Sequence, residues 1–412
     1  MNRLTKTLAD LKENNQKALV AYLVAGDPDI NSTIELMKLF VESGVDIIEI
    51  GVPFTDPIAE GPIIQKAHDR ALKNNISLES IFNMVSEYRK QIVKHIVPLV
   101  EKINLKRKEI LGYDDMYVYD TLYFKEGNPK PKGGVDFQVA QAKTMYSELS
   151  KETDDFFNMM IDEELMDLDN RAGKSGGGFC TSFPSLERPY IFANFNGTDH
   201  DVTVLTHEAG HAFQCYQSRK QPVNRYLWPT YEACEIHSMS MEFLTWDWMH
   251  LFFKEDTEKF LFKHIAGSLA FLPYGALVDH FQHWVYENPN ATPKQRKNQW
   301  LELENIYQPG KNYDNLDFLK NGGFWQKQAH IYEMPFYYID YTLAQVCAFQ
   351  FWIRMQEDKE SAWQDYLKLC KAGGSMSFLD LVKLANIKSP FDPKVFEEVA
   401  NKINDWLEQN SL

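Results

Sequence analysis

The spacing of apolar residues changes between residues 92 and 105, and this change divides the chain into parts of different fold class. Before it, the apolar run Ala18–Val24 predicts a strand buried on both faces, a helical pattern follows over residues 28–44, and Val45–Gly51 predicts a second strand. After it, apolar residues recur with helical spacing. The sequence therefore predicts an α/β beginning joined to a mainly α-helical body.

No Gly- or Ser-rich linker marks the change, so we expect the two parts to abut, as residues 1–95 and residues 98–412. Either two truncated proteins are fused here or an error in gene assembly joined their sequences, and the residues alone fit both. Helical patterns recur in the body over residues 136–165, 199–219, 229–252, 256–287, 293–306, 322–357, 360–371 and 392–408.

Composition excludes several classes of partner. The chain has 412 residues, with 43 Lys and Arg against 58 Asp and Glu, for a net charge of −15. Such acidity argues against binding to nucleic acid or to an anionic membrane. The five cysteines form no C-x-x-C pair, the N-terminus has no apolar signal core, and the longest apolar run, Ile265–Val278, is too short to span a bilayer. We expect a soluble cytoplasmic protein.

The body contains one H-E-x-x-H sequence, His207-Glu208-Ala209-Gly210-His211. Residues four apart share a face of a helix, so His207 and His211 can direct two imidazole nitrogens at one metal ion. Glu208 then lies where its carboxylate can act as general base on a metal-bound water. The alternative is a chance pentapeptide on a surface helix, and the neighbouring residues decide between the two.

The next predicted helix carries three acidic residues that compete for the role of third metal ligand: Glu232, Glu235 and Glu242. We favour Glu235 because it lies in an apolar context, and Glu242 is the better candidate for an outer hydrogen-bond partner. Two His and one Glu would leave one position of a tetrahedral zinc ion open for water.

An aromatic cluster runs from His330 to Tyr341. Hydrolysis of a peptide bond at zinc places negative charge on the former carbonyl oxygen, and Tyr hydroxyls and His can donate hydrogen bonds to it. Tyr338 and Tyr341 share a helical face, and so do Tyr337 and Tyr341. The alternative is an aromatic stripe of the core, which fits this cluster when it is considered alone.

A β-prone run, Pro189–Phe195, follows the flexible loop Gly173–Phe179. We predict an edge strand beside the H-E-x-x-H helix, which could hold an extended peptide by strand addition. A plain structural hairpin is the alternative.

Together these clusters resemble the M3 family of metallopeptidases, the thimet oligopeptidase and oligoendopeptidase F group. The resemblance covers about residues 98–412 and includes Gly373–Ser377. It implies a mainly α fold with a deep channel, one zinc ion and hydrolysis of internal bonds in short peptides. The resemblance further implies that His207, His211 and Glu235 bind zinc and Glu208 activates water, while His330, Tyr338 and either Tyr341 or Tyr337 stabilise the oxyanion.

The first quarter resembles a different family. Leu23–Pro28 and Asp46–Pro62 are similar to the tryptophan synthase α chain, a (β/α)₈ lyase, through its first βα units. This resemblance implies that Glu49 is a catalytic carboxylate, while Glu60 stands where the family has Asp. It stops near Val97, and the remaining βα units that build a barrel site are absent.

Three functions follow as hypotheses: a zinc endopeptidase, a lyase that releases indole from indole-glycerol phosphate, and a non-catalytic module that docks on a synthase partner through residues 53–62. The long helical N-terminal half of the peptidase family is also absent. We therefore expect apolar helix faces to be exposed and to promote association. Short peptides are the expected substrates.

Overall fold

The computed structural model of the protein describes residues 7–8, 11–13, 17–24, 30–43, 45–51 and 78–410. The chain divides into two compact units, Met1–Ser86 and Glu87–Leu412. The predicted docking loop at residues 53–62, including Glu60, lies outside the described residues.

The described part of the first unit is a β-α-β arrangement. Strand β1 (Val20–Val24) pairs in parallel with β2 (Ile47–Gly51), and helix α1 (Ile30–Glu42) connects them. The Asp46 carboxylate accepts a hydrogen bond from the backbone N–H of Leu19, at 2.8 Å, and fixes the start of the strand pair. These elements confirm the predicted α/β beginning. The prediction that β1 is buried throughout holds only at its end, where Leu23 and Val24 are buried.

The second unit is mostly helical, as predicted. Its helices are α2 (Leu78–Gln91), which begins in the first unit, α3 (Val97–Leu111), α4 (Val135–Leu149), α5 (Lys151–Asp162), α6 (His200–Ser218), α7 (Tyr231–Leu244), α8 (Met249–Phe253), α9 (Thr257–Glu287), α10 (Pro293–Tyr307), α11 (His330–Glu333), α12 (Tyr338–Glu357), α13 (Lys359–Ala372), α14 (Phe378–Leu384) and α15 (Pro393–Gln409).

Three of the predicted helices are interrupted. The pattern over residues 229–252 forms α7 and α8, with the single turn Trp246–Trp248 between them. The pattern over residues 136–165 forms α4 and α5, because the Ser150 side chain accepts a hydrogen bond from the Thr153 backbone N–H and caps a new helix. The pattern over residues 322–357 contains α11 and α12 with irregular backbone between them. The spacing of apolar residues identifies the positions that face the core but does not show where a helix is interrupted.

Residues that follow the boundary between the units belong to the core of the second unit. Tyr88 is buried, and its ring lies 5.2 Å from that of Phe396 on α15. Arg89 forms a buried ion pair with Asp279 on α9, with 2.8 Å between Nη1 and Oδ2. The segment from residue 87 onward is therefore held by apolar packing and by a paired charge.

The centre of the second unit consists of α7, which packs against α6 on one side and α12 on the other. Buried residues of α12 run without interruption from Thr342 to Ile353, as expected for a helix enclosed on all sides. Among the described residues, one helical stretch, Tyr231–Glu287, has the length and hydropathy of a membrane span, and 61% of its apolar window is buried inside the molecule. Such burial is what a core helix of a globular domain shows.

A three-stranded sheet lies against α6. Strand β5 (Arg188–Phe195) is its centre, parallel to β3 (Met166–Asp169) and antiparallel to β4 (Phe179–Phe183). The prediction that residues 189–195 form an edge strand is therefore wrong. Alternate residues of β5 are buried, and β4 takes the edge position next to α6.

Candidate functional site

The H-E-x-x-H sequence forms the middle of α6. His207 and His211 lie one turn apart on its face, with ring centroids separated by 5.1 Å. Gly210 is required between them, because a Cβ atom there would lie 2.6 Å from the carbonyl oxygen of His237 on α7. The two helix backbones thus touch at this glycine, which brings the second helix within reach of both imidazoles.

Glu235 on α7 faces the two histidines. Its Oε2 atom lies 3.3 Å from Nε2 of His207 and 3.3 Å from Nε2 of His211. The three potential ligand atoms all lie within 4.8 Å of one another. The structure therefore brings together the three residues that the sequence predicted as ligands. Two imidazole nitrogens and one carboxylate oxygen are a donor set that could hold a divalent metal ion.

The carboxylates around this cluster favour the binding of a cation. Burial alone would lower the pKa of His207, but hydrogen bonds to Glu235 and Glu242 outweigh it and raise that pKa to about 10. Burial works against ionisation of Glu235 as well, yet the two histidines hold its pKa well below the ordinary value. The carboxylates thus stabilise positive charge at the point between the three side chains, where a metal ion would supply it.

Each histidine has an outer hydrogen-bond partner. The Glu242 carboxylate accepts from His207 at Nδ1, at 2.7 Å, and its second oxygen lies 2.7 Å from Nε2 of His264 on α9. Burial raises the pKa of Glu242, but these two hydrogen bonds prevail and lower it to about 2. His211 has a weaker partner, the thiol of Cys234, at 3.7 Å. Glu242 thus occupies the outer position that its spacing suggested.

Glu208 is buried but lacks a hydrogen bond at Oε2 within residues 78–410. Burial raises the pKa of its carboxyl, partly offset by the nearby histidines. The side chain lines a cleft of about 960 Å³ that also contains His207, His211 and Glu235. An unpaired buried carboxylate with a raised pKa at a cleft is suited to accept and return a proton.

Strand β4 and an aromatic wall complete the cleft. Phe179, Cys180 and Thr181 of β4 line one side, and Tyr337 and Tyr341 line another. The Tyr337 hydroxyl donates to Oε1 of Glu235, at 2.8 Å. Burial raises the pKa of both tyrosines, so their hydroxyls keep their protons and can donate them in hydrogen bonds.

The other two residues that the sequence singled out, His330 and Tyr338, pack against Tyr337 and Tyr341. Tyr338 does not line the cleft; its ring lies 5.7 Å from that of Phe271 and 5.9 Å from that of Tyr274. His330 contacts Gln328 through Nδ1, at 2.6 Å, and its ring lies 6.1 Å from Tyr337. The structure therefore places Tyr337, the alternative of the sequence analysis, closest to the metal-binding cluster.

His264 and Trp246 are residues of this site that sequence reasoning missed. The Trp246 indole N–H donates to Nδ1 of His264, at 3.1 Å, and so extends the hydrogen bonds that begin at His207. A histidine within the apolar pattern of α9 was the one signal that could have identified it.

Glu49 lies on β2 of the first unit, where its side chain is exposed and its backbone pairs with Tyr22. Glu60, the second carboxylate expected for a lyase, lies outside the described residues. A catalytic role of Glu49 therefore stays a prediction.

Comparisons with known proteins match both parts of the chain. The family model of Peptidase family M3 matches residues 65–400, and that of the tryptophan synthase alpha chain matches residues 8–109. The tryptophan synthase alpha chain of Nitrosomonas europaea is 44% identical over 115 residues, which are 28% of this chain and 41% of that protein.

Solved structures resemble the second unit. PZ peptidase A, determined with an inhibitor, is 54% identical with a TM-score of 0.78, over 79% of this chain and 58% of that one. A Bacillus anthracis protein proposed to be an oligoendopeptidase F is 49% identical with a TM-score of 0.73, over 80% and 57% of the two chains. The chain thus spans less than two thirds of the length of these relatives.

Proposed function

Because this chain belongs to peptidase family M3, we propose that it is a zinc-dependent endopeptidase that hydrolyses internal bonds of short peptides. The observation that carries the proposal is the convergence of His207, His211 and Glu235 beside the unpaired carboxylate of Glu208 in one cleft. Such a cluster combines a metal-binding donor set with a general base.

In the proposed mechanism, His207, His211 and Glu235 hold the zinc ion. When bound, zinc supplies Lewis acidity, which acidifies water and polarises a peptide carbonyl. Glu208 removes a proton from the attacking water and transfers it to the leaving amine. Burial raises the pKa of Glu208, so its carboxylate is a stronger base toward water. The carboxylic acid that forms stays in the cleft, where it can donate the proton to the leaving amine.

Tyr337 and Tyr341 are the proposed donors to the oxyanion, and the single hydroxyl proton of Tyr337, which Glu235 accepts in the structure, would turn to the substrate once Glu235 binds zinc. Both hydroxyls belong to residues that line the cleft, and both remain protonated at neutral pH because burial raises their pKa values. His330 stacks beside Tyr337, and burial lowers the pKa of its imidazole, so we assign it to the same group as a neutral donor. Tyr338 supports the group through its ring contact with His330, at 4.9 Å.

The proposed substrate is an extended peptide that lies along the exposed edge of β4. Within residues 78–410, β4 pairs with β5 alone, so its other edge is available for backbone hydrogen bonds next to the metal-binding cluster. We also propose that the predicted catalytic region, residues 98–412, carries this activity together with residues 87–97, which pack in the same unit, and that the residues before them are a separate fragment. Exposed apolar helix residues such as Leu105 are proposed contact points for association between copies of the chain.

Metal analysis combined with peptide cleavage tests the proposed function. The purified full chain should contain about one zinc per chain and should cleave an internally quenched peptide. Removal of the metal by a chelator should abolish cleavage, and stoichiometric zinc should restore it. Glu235→Gln should lower the zinc content, because it removes a charged ligand. A metal-free preparation that cleaves the peptide would contradict the proposal.

A further inference from the structure

A chain of hydrogen bonds leads from the metal-binding cluster into the core. His207 contacts Oε1 of Glu242 at 2.7 Å, Oε2 of Glu242 contacts Nε2 of His264 at 2.7 Å, and Nδ1 of His264 accepts from the indole of Trp246 at 3.1 Å. The four residues come from α6, α7, α9 and the single turn that follows α7. Side chains distant in sequence thus form one continuous path.

The last member of the path fixes the direction of every hydrogen bond. An indole N–H can donate but cannot accept, so Nδ1 of His264 must be the unprotonated nitrogen. The hydrogen of a neutral His264 then lies on Nε2 and is donated to Glu242. An ionised carboxylate can only accept, so its other oxygen takes a hydrogen bond from Nδ1 of His207. In the neutral form of His207 that metal binding requires, the lone pair then lies on Nε2, the atom that lies 3.3 Å from Glu235.

The surroundings of His264 preserve these hydrogen-bond directions. Its ring lies 4.9 Å from that of Phe243 and stacks on that of Phe260 at 5.6 Å, and its side chain is 5% exposed. Hydrogen bonds in such an apolar enclosure are strengthened by the low local dielectric, and no bulk water competes for the nitrogens.

The second histidine of the cluster lacks such support. His211 contacts the thiol of Cys234 at 3.7 Å, and a thiol is a weak hydrogen-bond partner. The imidazole of His207 is therefore oriented by a chain of hydrogen bonds that ends at the buried indole of Trp246. The imidazole of His211 is held mainly by the packing of α6 on α7.

We propose that Trp246 and His264 are positioning residues that fix the tautomer and orientation of His207 through Glu242. Neither residue touches the metal or the substrate. The inference rests on the proposed zinc site, and it adds residues that no motif of the sequence includes. Direct hydrogen-bond partners of ligating histidines, such as Glu242, commonly change metal affinity by about 10- to 100-fold, so His264 and Trp246, which act through Glu242, should give effects near the lower end.

The test uses two matched pairs of variants in the full chain. Trp246→Phe removes the indole donor. Its control, Trp363→Phe, removes a buried indole whose nitrogen has no hydrogen-bond partner within residues 78–410 but whose ring packs 5.8 Å from that of Phe213 on α6. His264→Phe removes both hydrogen bonds of the imidazole, to Trp246 and to Glu242. His264→Gln keeps one acceptor for Trp246 and one donor for Glu242. Zinc affinity is measured by competition with a chromogenic chelator, with thermal unfolding as a check on folding.

We expect Trp246→Phe and His264→Phe to weaken zinc binding by about 10-fold, and Trp363→Phe and His264→Gln to remain within about 3-fold of the parent. Equal losses in Trp246→Phe and Trp363→Phe would overturn the inference, because packing alone would then explain both.

A second readout does not depend on zinc or on activity. In ¹⁵N spectra of the histidine-labelled, metal-free chain, His264, assigned by its absence in His264→Gln, should show a bare Nδ1 and a protonated Nε2. The opposite tautomer would overturn the inference even if the chain binds zinc. The expected tautomer in a chain that never binds zinc would instead refute the proposed function and leave the hydrogen-bond chain standing.

Discussion

Two glutamates, one in each unit, are candidates for a catalytic carboxylate, and their surroundings differ. Glu208 is 7% exposed, lies in a cleft beside two histidines, and has a raised pKa caused by burial. Glu49 is exposed on a sheet in which two strands are described. Both were singled out by sequence motifs, so the presence of a motif does not distinguish them.

Among the described residues, the two carboxylates differ in the number of elements that converge on them. Helices α6, α7 and α12 and strand β4 all contribute residues to the cleft around Glu208. Glu49 stands on β2, where β1 is the paired neighbour. A catalytic group needs a supporting shell to set its pKa and orientation. The comparison predicts that substitutions around Glu208 have large effects and that substitution of Glu49 has a small one.

The largest effect should follow from Glu208→Gln. The amide has nearly the same shape but cannot accept the proton of water, so we expect kcat/KM for peptide cleavage to fall by about 10³-fold or more. Because Glu208 is not a proposed ligand, zinc content should stay at the parental level. Cleavage at the parental rate with full zinc occupancy would contradict the proposed role of Glu208 as general base. The enclosed surroundings of Glu208 would then not distinguish it from the exposed Glu49.

A smaller loss should follow from Tyr337→Phe. Removal of one oxyanion donor typically costs about 10²- to 10³-fold in kcat, and KM should change little because the substrate's ground state uses the hydroxyl weakly. Tyr338→Phe is the matched control: its hydroxyl belongs to a residue outside the cleft lining, so we expect less than about 5-fold change. Steady-state kinetics at saturating zinc separates the two, and a larger loss in Tyr338→Phe would reverse the assignment.

This pair of tyrosines also shows where sequence reasoning stops. Helical spacing identified His207 and His211 because both lie within a regular helix whose phase can be counted, and the apolar context of Glu235 selected it among three acidic residues of the next helix. Helical spacing left the tyrosines open, because Tyr341 shares a face with both Tyr338 and Tyr337, and the choice depends on the backbone at Phe336, at φ = 64°, just before α12 begins. A residue with side chain in this conformation is uncommon and is not signalled by composition.

Contacts between distant elements were equally hidden from the sequence. The helical body and the α/β beginning were predicted from periodicity, but the order of β3, β5 and β4 depends on a pairing across the sheet that local patterns do not encode. His264 joins the site through Glu242 on another helix, which no spacing rule connects to it. Local rules thus predict the ligands, and the tertiary fold determines what orients them.

A third carboxylate, Asp340, is intermediate in exposure between the first two. Burial, together with the negative charges of Glu232, Asp279 and Glu235, raises its pKa from 3.8 to about 8. The folded state therefore keeps the proton that the unfolded chain loses as pH rises above about 4. The contribution of Asp340 to stability is complete below that pH and is lost progressively as pH rises to about 8.

Asp340→Asn should remove this dependence. The amide stays neutral at every pH, so the variant should be more stable than the parent by on the order of 2 kcal/mol near pH 8 and by little near pH 4. Thermal unfolding of both proteins across this range measures the difference. A gain that is the same at both ends of the range would mean that Asp340 is ionised in the folded state.

The smallest effect should follow from Glu49→Gln. An exposed side chain away from special backbone changes stability by about 0.5 kcal/mol or less, so neither melting temperature nor peptide cleavage should change measurably. The same variant tests the lyase hypothesis, in assays of indole release from indole-glycerol phosphate. If the parent chain releases indole and Glu49→Gln does not, Glu49 is a catalytic residue. The contrast with Glu208 would then lose its basis, because a carboxylate with few described neighbours would perform chemistry as well as one enclosed by four elements.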